Sequence, residues 1–212
     1  MSGRRAAVLA AATRLFAEKG YGGAPVSEIA REAGVSEGAV FRMFPTKENL
    51  LAAIFREVRE TFFADLERGF RFQPEEPGLT MVLRLACIYC RFYENRETEF
   101  DFIHRNNPFQ MPGVGDSCRE DIRRIHDKML EQMGIGVALG VRDGTVRRTS
   151  VEKGAYMVLS LLTGAVRLRL HTGRHLADLE DELLVFIAAA LAANPADVPT
   201  EGEELICARD ES

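Results

Sequence analysis

Apolar residues recur at intervals of three and four positions along most of this chain, and this periodicity constrains the fold more than any other feature. Alternating runs of β-branched residues, which would indicate strands, are missing. Glycine and proline interrupt the helical pattern and divide it into about nine segments. The first segment shows an apolar stripe formed by Val8, Ala11, Ala12, Leu15 and Phe16. The sequence therefore predicts an all-α fold without internal repeats.

Charge is distributed unevenly along the chain. The 212 residues carry a net charge of −5, which argues against a general nucleic-acid binder. Residues 1–50, however, hold seven basic and five acidic side chains, and this mildly basic part fits a local phosphate-binding face. No apolar run approaches the roughly 18 residues of a membrane span, and the N-terminal residues do not resemble a signal peptide. We therefore expect a cytoplasmic protein with no membrane partner.

The four cysteines, Cys87, Cys90, Cys118 and Cys207, are expected to be free thiols, because cytoplasmic proteins rarely keep disulfides. Cys87 and Cys90 lie on adjacent turns of an apolar segment, where core positions and a redox switch are both open interpretations. No further ligands stand at zinc-binding spacing, so we predict no metal site. The sequence also lacks a glycine-rich phosphate loop and a nucleophile elbow. We therefore predict neither an enzyme nor a cofactor.

Two short helical segments, 26–33 and 37–44, are separated by a three-residue Gly-Val-Ser turn. Gly34 can end the first segment in a left-handed conformation, and Ser36 can cap the second by accepting a hydrogen bond from a backbone N–H. A proline then interrupts the chain before Thr46, which can cap a long helix. Behind a supporting helix, two such segments form a helix-turn-helix whose second helix can enter the major groove of DNA. Spacing alone leaves a small helical bundle with a glycine turn equally open.

A dense set of motifs in residues 7–54 resolves this choice. They are Leu-Phe-Ala-Glu-Lys-Gly-Tyr at 15–21, Ile-Ala at 29–30, Ala-Gly-Val-Ser at 33–36, Gly-Ala at 38–39 and Phe-Pro-x-Lys-Glu-x-Leu at 44–50. In this stretch the chain resembles the N-terminal domain of the TetR family of transcriptional regulators. The resemblance implies a three-helix DNA-binding head and a larger helical body. That body binds a small-molecule effector and pairs through its last two long helices into a homodimer.

The same resemblance places the recognition helix and the helix that follows it on DNA. Gly38 leaves room for the groove wall, and Arg42 can donate to guanine O6 and N7 or to a phosphate. Lys47 corresponds to the family's phosphate-contacting lysine, beside a helix N-terminus that also favours anions. The predicted DNA-binding residues are Arg4, Arg5, Ser36, Glu37, Gly38, Phe41, Arg42, Met43 and Lys47.

Three positions depart from the family pattern and predict a weaker grip on phosphates. Phe41 replaces the usual tyrosine, so a hydroxyl that would bond a phosphate is missing. The loss of this hydrogen bond costs about 1 kcal/mol of binding free energy. Glu37 stands where a basic residue is common, and residues 24–25 (Ala-Pro) replace a frequent hydroxyl pair. Arg4 and Arg5, as part of a flexible tail, could compensate by reaching a phosphate or the minor groove. We expect modest, strongly salt-dependent affinity.

The body contains a segment, 79–93, that is apolar nearly all round and therefore predicts a helix enclosed by others. Phenylalanine and methionine are abundant around it and suit an adaptable apolar cavity for the effector, although plain core packing explains any single one of them. The loop 106–115 is a candidate lid. The predicted pocket residues are Phe62, Phe63, Cys87, Cys90, Tyr93, Phe100, His104, Met129 and Met133.

The last two helical segments, 151–172 and 178–193, are rich in apolar residues and favour pairing with their twins across a two-fold axis. Two heads spaced by a turn of DNA can read a palindrome, which one head cannot. A monomer that buries these helices internally is the alternative. The predicted interface residues are Tyr156, Leu159, Leu161, Leu162, Gly164, Leu183, Phe186, Ile187 and Leu191.

Together these features predict a DNA-binding domain at 1–50, a ligand-binding and dimerisation domain at 51–193, and a disordered acidic tail at 194–212. We expect a repressor that binds a palindromic operator as a dimer. A small apolar or aromatic ligand would release it by shifting the long fourth helix and hence the spacing of the two heads. The alternative is a helical ligand-binding or interaction protein whose DNA binding has weakened.

Overall fold

The computed structural model describes residues 2–69, 75–111, 115–172 and 177–198, and within these ranges the chain forms nine α-helices. The only β-type pairing among the described residues is an isolated antiparallel bridge between Val146 and Ala192. The predicted all-α fold is therefore confirmed. The helices are α1 (Ser2–Gly23), α2 (Val26–Glu32), α3 (Glu37–Met43), α4 (Lys47–Gly69), α5 (Gly78–Glu94), α6 (Glu97–Arg105), α7 (Asp116–Asp143), α8 (Val151–Thr172) and α9 (Glu180–Leu191).

The ends of the short helices follow from local side-chain chemistry. Gly34 adopts a φ of 66° after α2, a conformation that glycine takes at little cost. Ser36 caps α3 by accepting a hydrogen bond of 3.2 Å from the Ala39 N–H. Thr46 caps α4 in the same way, with its hydroxyl 3.1 Å from the Asn49 nitrogen. Both predicted caps are confirmed.

The first compact unit, unit 1, contains Met1–Phe63 and Arg96–Ile125. The apolar stripe of α1 enters its core, where Phe16, Phe55 and Phe102 are all fully buried. The ring centroid of Phe102 lies 6.3 Å from that of Phe16 and 4.8 Å from that of Phe55, within the range of favourable aromatic pairs. Through Phe102, helix α6 shares one core with α1 and α4.

The second compact unit, unit 2, contains Ala64–Asn95 and His126–Ser212. Helix α5 is buried on nearly all sides, as its apolar sequence predicts. Its first residue, Gly78, meets α7 so closely that a Cβ there would lie 1.9 Å from the Gly140 nitrogen. Asp143 accepts a 2.8 Å hydrogen bond from the Gly78 N–H, and the Thr145 hydroxyl lies 3.2 Å from the Leu79 nitrogen. These two side chains cap α5 from a distant part of the chain.

The compact units divide the chain differently from the predicted domains, because residues 96–125 group with the first 63 residues. The boundary at residue 50 and the disordered tail remain predictions, and residues 199–212 of that tail lie outside the described residues. No helix among the described residues is long and apolar enough to cross a membrane.

The cysteines correct one prediction. Cys90 and Cys118 are free and buried, as expected. Cys87 is disulfide-bonded, so the prediction of a free thiol there is wrong. Composition suggests a compartment but does not reveal which thiols the fold brings together. Cys207 lies outside the described residues.

Candidate functional site

Helix α3 buries one face and exposes the other. Val40 and Phe44, only 1% and 3% exposed, anchor it in the core of unit 1. The opposite face meets solvent, and Phe41 stands out there as a large apolar side chain that is 44% exposed. An exposed aromatic ring of this size is available for contact with a partner. The exposed residues of α3 are Glu37, Gly38, Phe41 and Arg42, with Met43 half-buried beside them.

Arg42 and Gly38 are neighbours on the exposed face. A Cβ at Gly38 would lie 3.8 Å from the Arg42 Nη1 atom, so the guanidinium extends back over the glycine. Within the described residues Arg42 forms no ion pair, and its donors are therefore available to an external acceptor. The paired N–H donors of a guanidinium match the geometry of phosphate oxygens and of the O6 and N7 acceptors of guanine.

The first basic residues do not form an extended arm. Arg4 and Arg5 lie in the first turns of α1, because the alanine-rich sequence that follows favours a helix as far back as Ser2. This corrects the expectation of a flexible tail. The helix holds the Arg5 guanidinium 5.1 Å above the ring of Phe44, directly after α3. The structure thus places one of these cations beside the recognition helix.

Lys47 is the first residue of α4. Its ammonium donates a hydrogen bond to the Tyr21 carbonyl and lies 4.6 Å from the Tyr21 ring centroid and 5.5 Å from that of Phe16. Burial among these groups lowers the pKa of Lys47, and the neighbouring Glu48 opposes this shift. An ammonium has three N–H donors, so the bond to Tyr21 leaves donors for a phosphate oxygen.

Tyr21 is a residue that the sequence analysis did not assign to the site. Its hydroxyl donates to the Glu48 carboxylate at 2.6 Å, and this hydrogen bond is the largest cause of the lowered pKa of Glu48. Burial, followed by the hydrogen bond to Glu48, raises the pKa of Tyr21. Tyr21 thus contacts both residues that begin α4. Its place at the end of the Leu-Phe-Ala-Glu-Lys-Gly-Tyr motif was the available signal.

The predicted pocket residues fall in both units. In unit 1, Phe62 and Phe100 are buried, while Phe63 and His104 are half-buried. The His104 Nδ1 atom lies 2.9 Å from the Phe100 carbonyl one turn earlier, which ties the imidazole to its own helix.

In unit 2 the pocket residues are enclosed in the interior. Tyr93 is fully buried, and its hydroxyl accepts a 3.2 Å hydrogen bond from Arg169 Nε, whose guanidinium also lies 4.9 Å from the ring centroid. Burial raises the pKa of the Cys90 thiol to about 12, so this thiol is poorly suited to a redox switch. The remaining predicted pocket residues in this unit are Cys87, Met129 and Met133, all buried.

The predicted interface residues divide by exposure. Tyr156 and Phe186 are 61% and 64% exposed, and Leu161 and Gly164 are half-buried. The structure adds two exposed residues that the sequence analysis missed, Met157 and Leu168 on α8. The remaining five predicted residues are buried within the single chain: Leu159, Leu162, Leu183, Ile187 and Leu191.

The chain is similar in sequence to known bacterial regulators. A family model described as bacterial regulatory proteins of the tetR family matches residues 8–54. The HTH-type transcriptional repressor AcnR of Corynebacterium glutamicum is 39% identical over 183 residues, covering 78% of this chain and 93% of AcnR. The HTH-type transcriptional repressor DhaR of Mycobacterium sp. (strain GP1) is 26% identical over 180 residues, covering 84% of this chain and 88% of DhaR.

The fold is similar to those of solved regulators. A transcriptional regulator from Saccharomonospora viridis in complex with choline superposes with a TM-score of 0.77 at 20% identity, covering 92% of this chain and 100% of that one. AibR in complex with isovaleryl coenzyme A and operator DNA superposes with a TM-score of 0.68 at 18% identity, covering 90% of this chain and 98% of AibR. At these identities the similarity is one of fold.

Proposed function

Because this chain belongs to the TetR family of bacterial regulatory proteins, we propose that it is a repressor that binds a palindromic operator as a homodimer and leaves it when a small molecule binds. It is a transcriptional regulator, as its relatives are, and the prediction that it is not an enzyme is confirmed. The observation that carries the proposal is the exposed face of α3, with the Arg5 guanidinium over Phe44 directly after it and Lys47 at the start of α4.

On DNA the exposed face of α3 enters the major groove, with the two flanking helices at the backbone. Arg42 reads a guanine edge or holds a phosphate, and Phe41 contributes apolar contact. Lys47 and the N-terminus of α4 hold a phosphate, and Arg5 binds the backbone beside α3. Glu37 accepts from a cytosine amine, since elsewhere in the groove it would repel phosphate.

A salt-titrated binding assay on DNA upstream of the gene and its neighbours tests this role. We expect a palindromic site that binds at least about 10³-fold more tightly than random duplex at moderate salt. An Arg42→Ala variant distinguishes its two roles, because loss of a base contact changes sequence preference, whereas loss of a phosphate contact weakens all sequences alike. No preferred site at any salt concentration would leave an interaction protein with weakened DNA binding as the better interpretation.

Dimerisation uses the exposed apolar surface of α8 and α9. Met157, Gly164 and Leu168 are spaced by seven and four positions and share one face of α8. Met157 and Leu168 are 68% and 62% exposed, and Phe186 on the adjoining α9 is 64% exposed. Such a patch of large apolar side chains is typical of an interaction surface. A second copy of this chain is its partner, because a palindrome requires two heads.

Gly164 offers a direct test of this interface. A Cβ at this position would meet nothing within 4 Å in the single chain, so Gly164→Arg leaves the fold intact and blocks only a partner. Analytical ultracentrifugation should show a dimer for the wild type and a monomer for the variant. Gly22→Arg is the matched control, since a Cβ there also meets open space. A monomeric wild type, or a Gly164→Arg dimer of unchanged affinity, would refute this assignment.

We assign effector binding to the interior of unit 2. Cys90, Tyr93, Met129 and Met133 are buried there, and methionine side chains adapt readily to a small apolar ligand. The Arg169 guanidinium at Tyr93 supplies a polar group that could orient it. Complexes of fold relatives with choline and with isovaleryl coenzyme A show that related folds accept small molecules. Screening for compounds that both raise the melting temperature and release the operator tests this assignment.

A further inference from the structure

Helix α1 does not run smoothly to its end, because Gly20 adopts φ 73° and ψ 163° within it. Only glycine takes this conformation at low cost. These angles turn the peptide that follows Gly20 away from the helical direction, so the Tyr21 N–H needs partners other than the Ala17 carbonyl that an unbroken helix would offer. Groups of this kind are almost always satisfied when they are buried.

Asn106, at the end of α6, supplies those partners. Its side chain is fully buried, and its Oδ1 atom accepts a hydrogen bond of 2.6 Å from the Tyr21 N–H. Its Nδ2 atom donates to the carbonyls of Phe16 at 2.9 Å and Phe102 at 2.8 Å. One amide therefore binds the Tyr21 N–H after Gly20 and the Phe16 carbonyl before it, and so fixes the break to α6.

The residue fixed in this way is the one that holds the start of α4. The Tyr21 N–H is bound by Asn106, while the Tyr21 carbonyl accepts from the Lys47 ammonium and the hydroxyl binds Glu48. All these residues belong to unit 1. A continuous series of hydrogen bonds thus runs from the end of α6 to the first turn of α4.

We propose that Asn106 is a positioning residue for phosphate recognition, which orients the Lys47 ammonium by fixing the backbone of Tyr21. The proposal rests on the DNA-binding role assigned above. Without the amide the Tyr21 N–H is no longer held, the backbone dihedral angles of Tyr21 can change, and its carbonyl moves away from the ammonium. Lys47 then loses the direction in which it meets DNA. Asn106 itself is buried and does not touch DNA.

The slope of log K against log salt concentration tests the proposal, because it counts phosphate contacts. Each contact contributes about 0.9 to the slope, so losing Lys47 from both heads of a dimer should make it shallower by about 1.8. We expect this change for Lys47→Gln, for Asn106→Ala and for the double variant alike. Binding is measured where each variant is fully folded by circular dichroism.

Asp143→Ala serves as the control for lost stability, since it removes a hydrogen bond to Gly78 in unit 2. It should destabilise the protein and leave the salt slope unchanged. If Asn106→Ala does not fold, Asn106→Asp replaces it. A carboxyl keeps the acceptor for the Tyr21 N–H but loses the Nδ2 donors to the Phe16 and Phe102 carbonyls, so this variant should be less stable than the wild type and still retain the wild-type slope.

Several results would overturn the proposal: a wild-type slope for folded Asn106→Ala, additive slope changes in the double variant, or a reduced slope for Asn106→Asp. A wild-type protein that prefers no palindromic site at any salt concentration would instead overturn the proposed function, so the two failures are distinguishable.

Discussion

The contact between α5 and α7 at Gly78 predicts a large loss of stability from a single methyl group. In Gly78→Ala the new Cβ would lie 1.9 Å from the Gly140 nitrogen, 2.4 Å from its Cα and 2.5 Å from the Gly136 carbonyl oxygen. Atoms in favourable contact lie about 3.5–4.0 Å apart, and all three obstacles are backbone atoms that no rotamer change can move. The two helices must therefore separate by more than 1 Å, roughly the shortfall in these contacts.

The free energy of unfolding should fall by roughly 2 kcal/mol. Overpacking of this kind costs about 1–3 kcal/mol, and loss of the 2.8 Å bond from the Gly78 N–H to Asp143 costs about 1 kcal/mol more. Against this, alanine in a helix is favoured over glycine by about 0.5–1 kcal/mol. The steric cost therefore exceeds the gain in helix propensity.

Gly134→Ala in α7 is the matched control. A Cβ there would lie 3.7 Å from Val151 Cγ1, an ordinary contact, so only the propensity gain of about 0.5–1 kcal/mol remains. In urea denaturation at fixed protein concentration, the unfolding midpoint should be lower than that of the wild type for Gly78→Ala and higher for Gly134→Ala. The dependence of the unfolding free energy on urea concentration should be the same for all three proteins. A midpoint for Gly78→Ala at or above that of the wild type would show that the reasoning is wrong.

Three further predictions concern single side chains. Burial opposes ionisation of Asp143, but hydrogen bonds from Thr145 and the Gly78 N–H hold its pKa below the usual range. The ionised Asp143 therefore stabilises the folded protein above about pH 4, and this stabilisation is lost as the pH falls through the lowered pKa. The difference in unfolding free energy between wild type and Asp143→Ala should disappear in acid. A difference that stays constant with pH would contradict this prediction. Cys90, with its pKa raised to about 12 by burial, should resist alkylation at pH 8 until the protein unfolds, and rapid labelling of the native protein would argue against the burial described. Phe41→Tyr should tighten operator binding about 30-fold without changing the salt slope, because each of the two heads gains a phosphate bond of about 1 kcal/mol; unchanged affinity would place position 41 away from the backbone.

The sequence predicted those parts of the fold that depend on local chemistry. The stripe of α1, the enclosed helix α5 and the caps at Ser36 and Thr46 arise from residues close together along the chain, where periodicity and capping rules apply. The motifs of residues 7–54 also predicted which residues of α3 would face a partner, and these residues are exposed or half-buried.

The contacts that sequence reasoning missed join residues far apart along the chain. Asn106 was placed in a candidate lid, yet its amide bonds Tyr21, 85 positions away. Nothing local indicates that partner, because an asparagine after a helix suits a loop equally well. Arg5 was assigned to a flexible tail, whereas the alanines that follow extend the helix through it.

The division of α3 into an anchored face and an exposed one separates folding from target choice. Val40 and Phe44 hold the helix, whereas positions 37, 38, 41 and 42 contribute little to the core. A library randomised at these four positions should therefore retain its folded population while its members select different operators. Through this division, the head can acquire new target genes during evolution by surface substitutions alone, without repacking its interior.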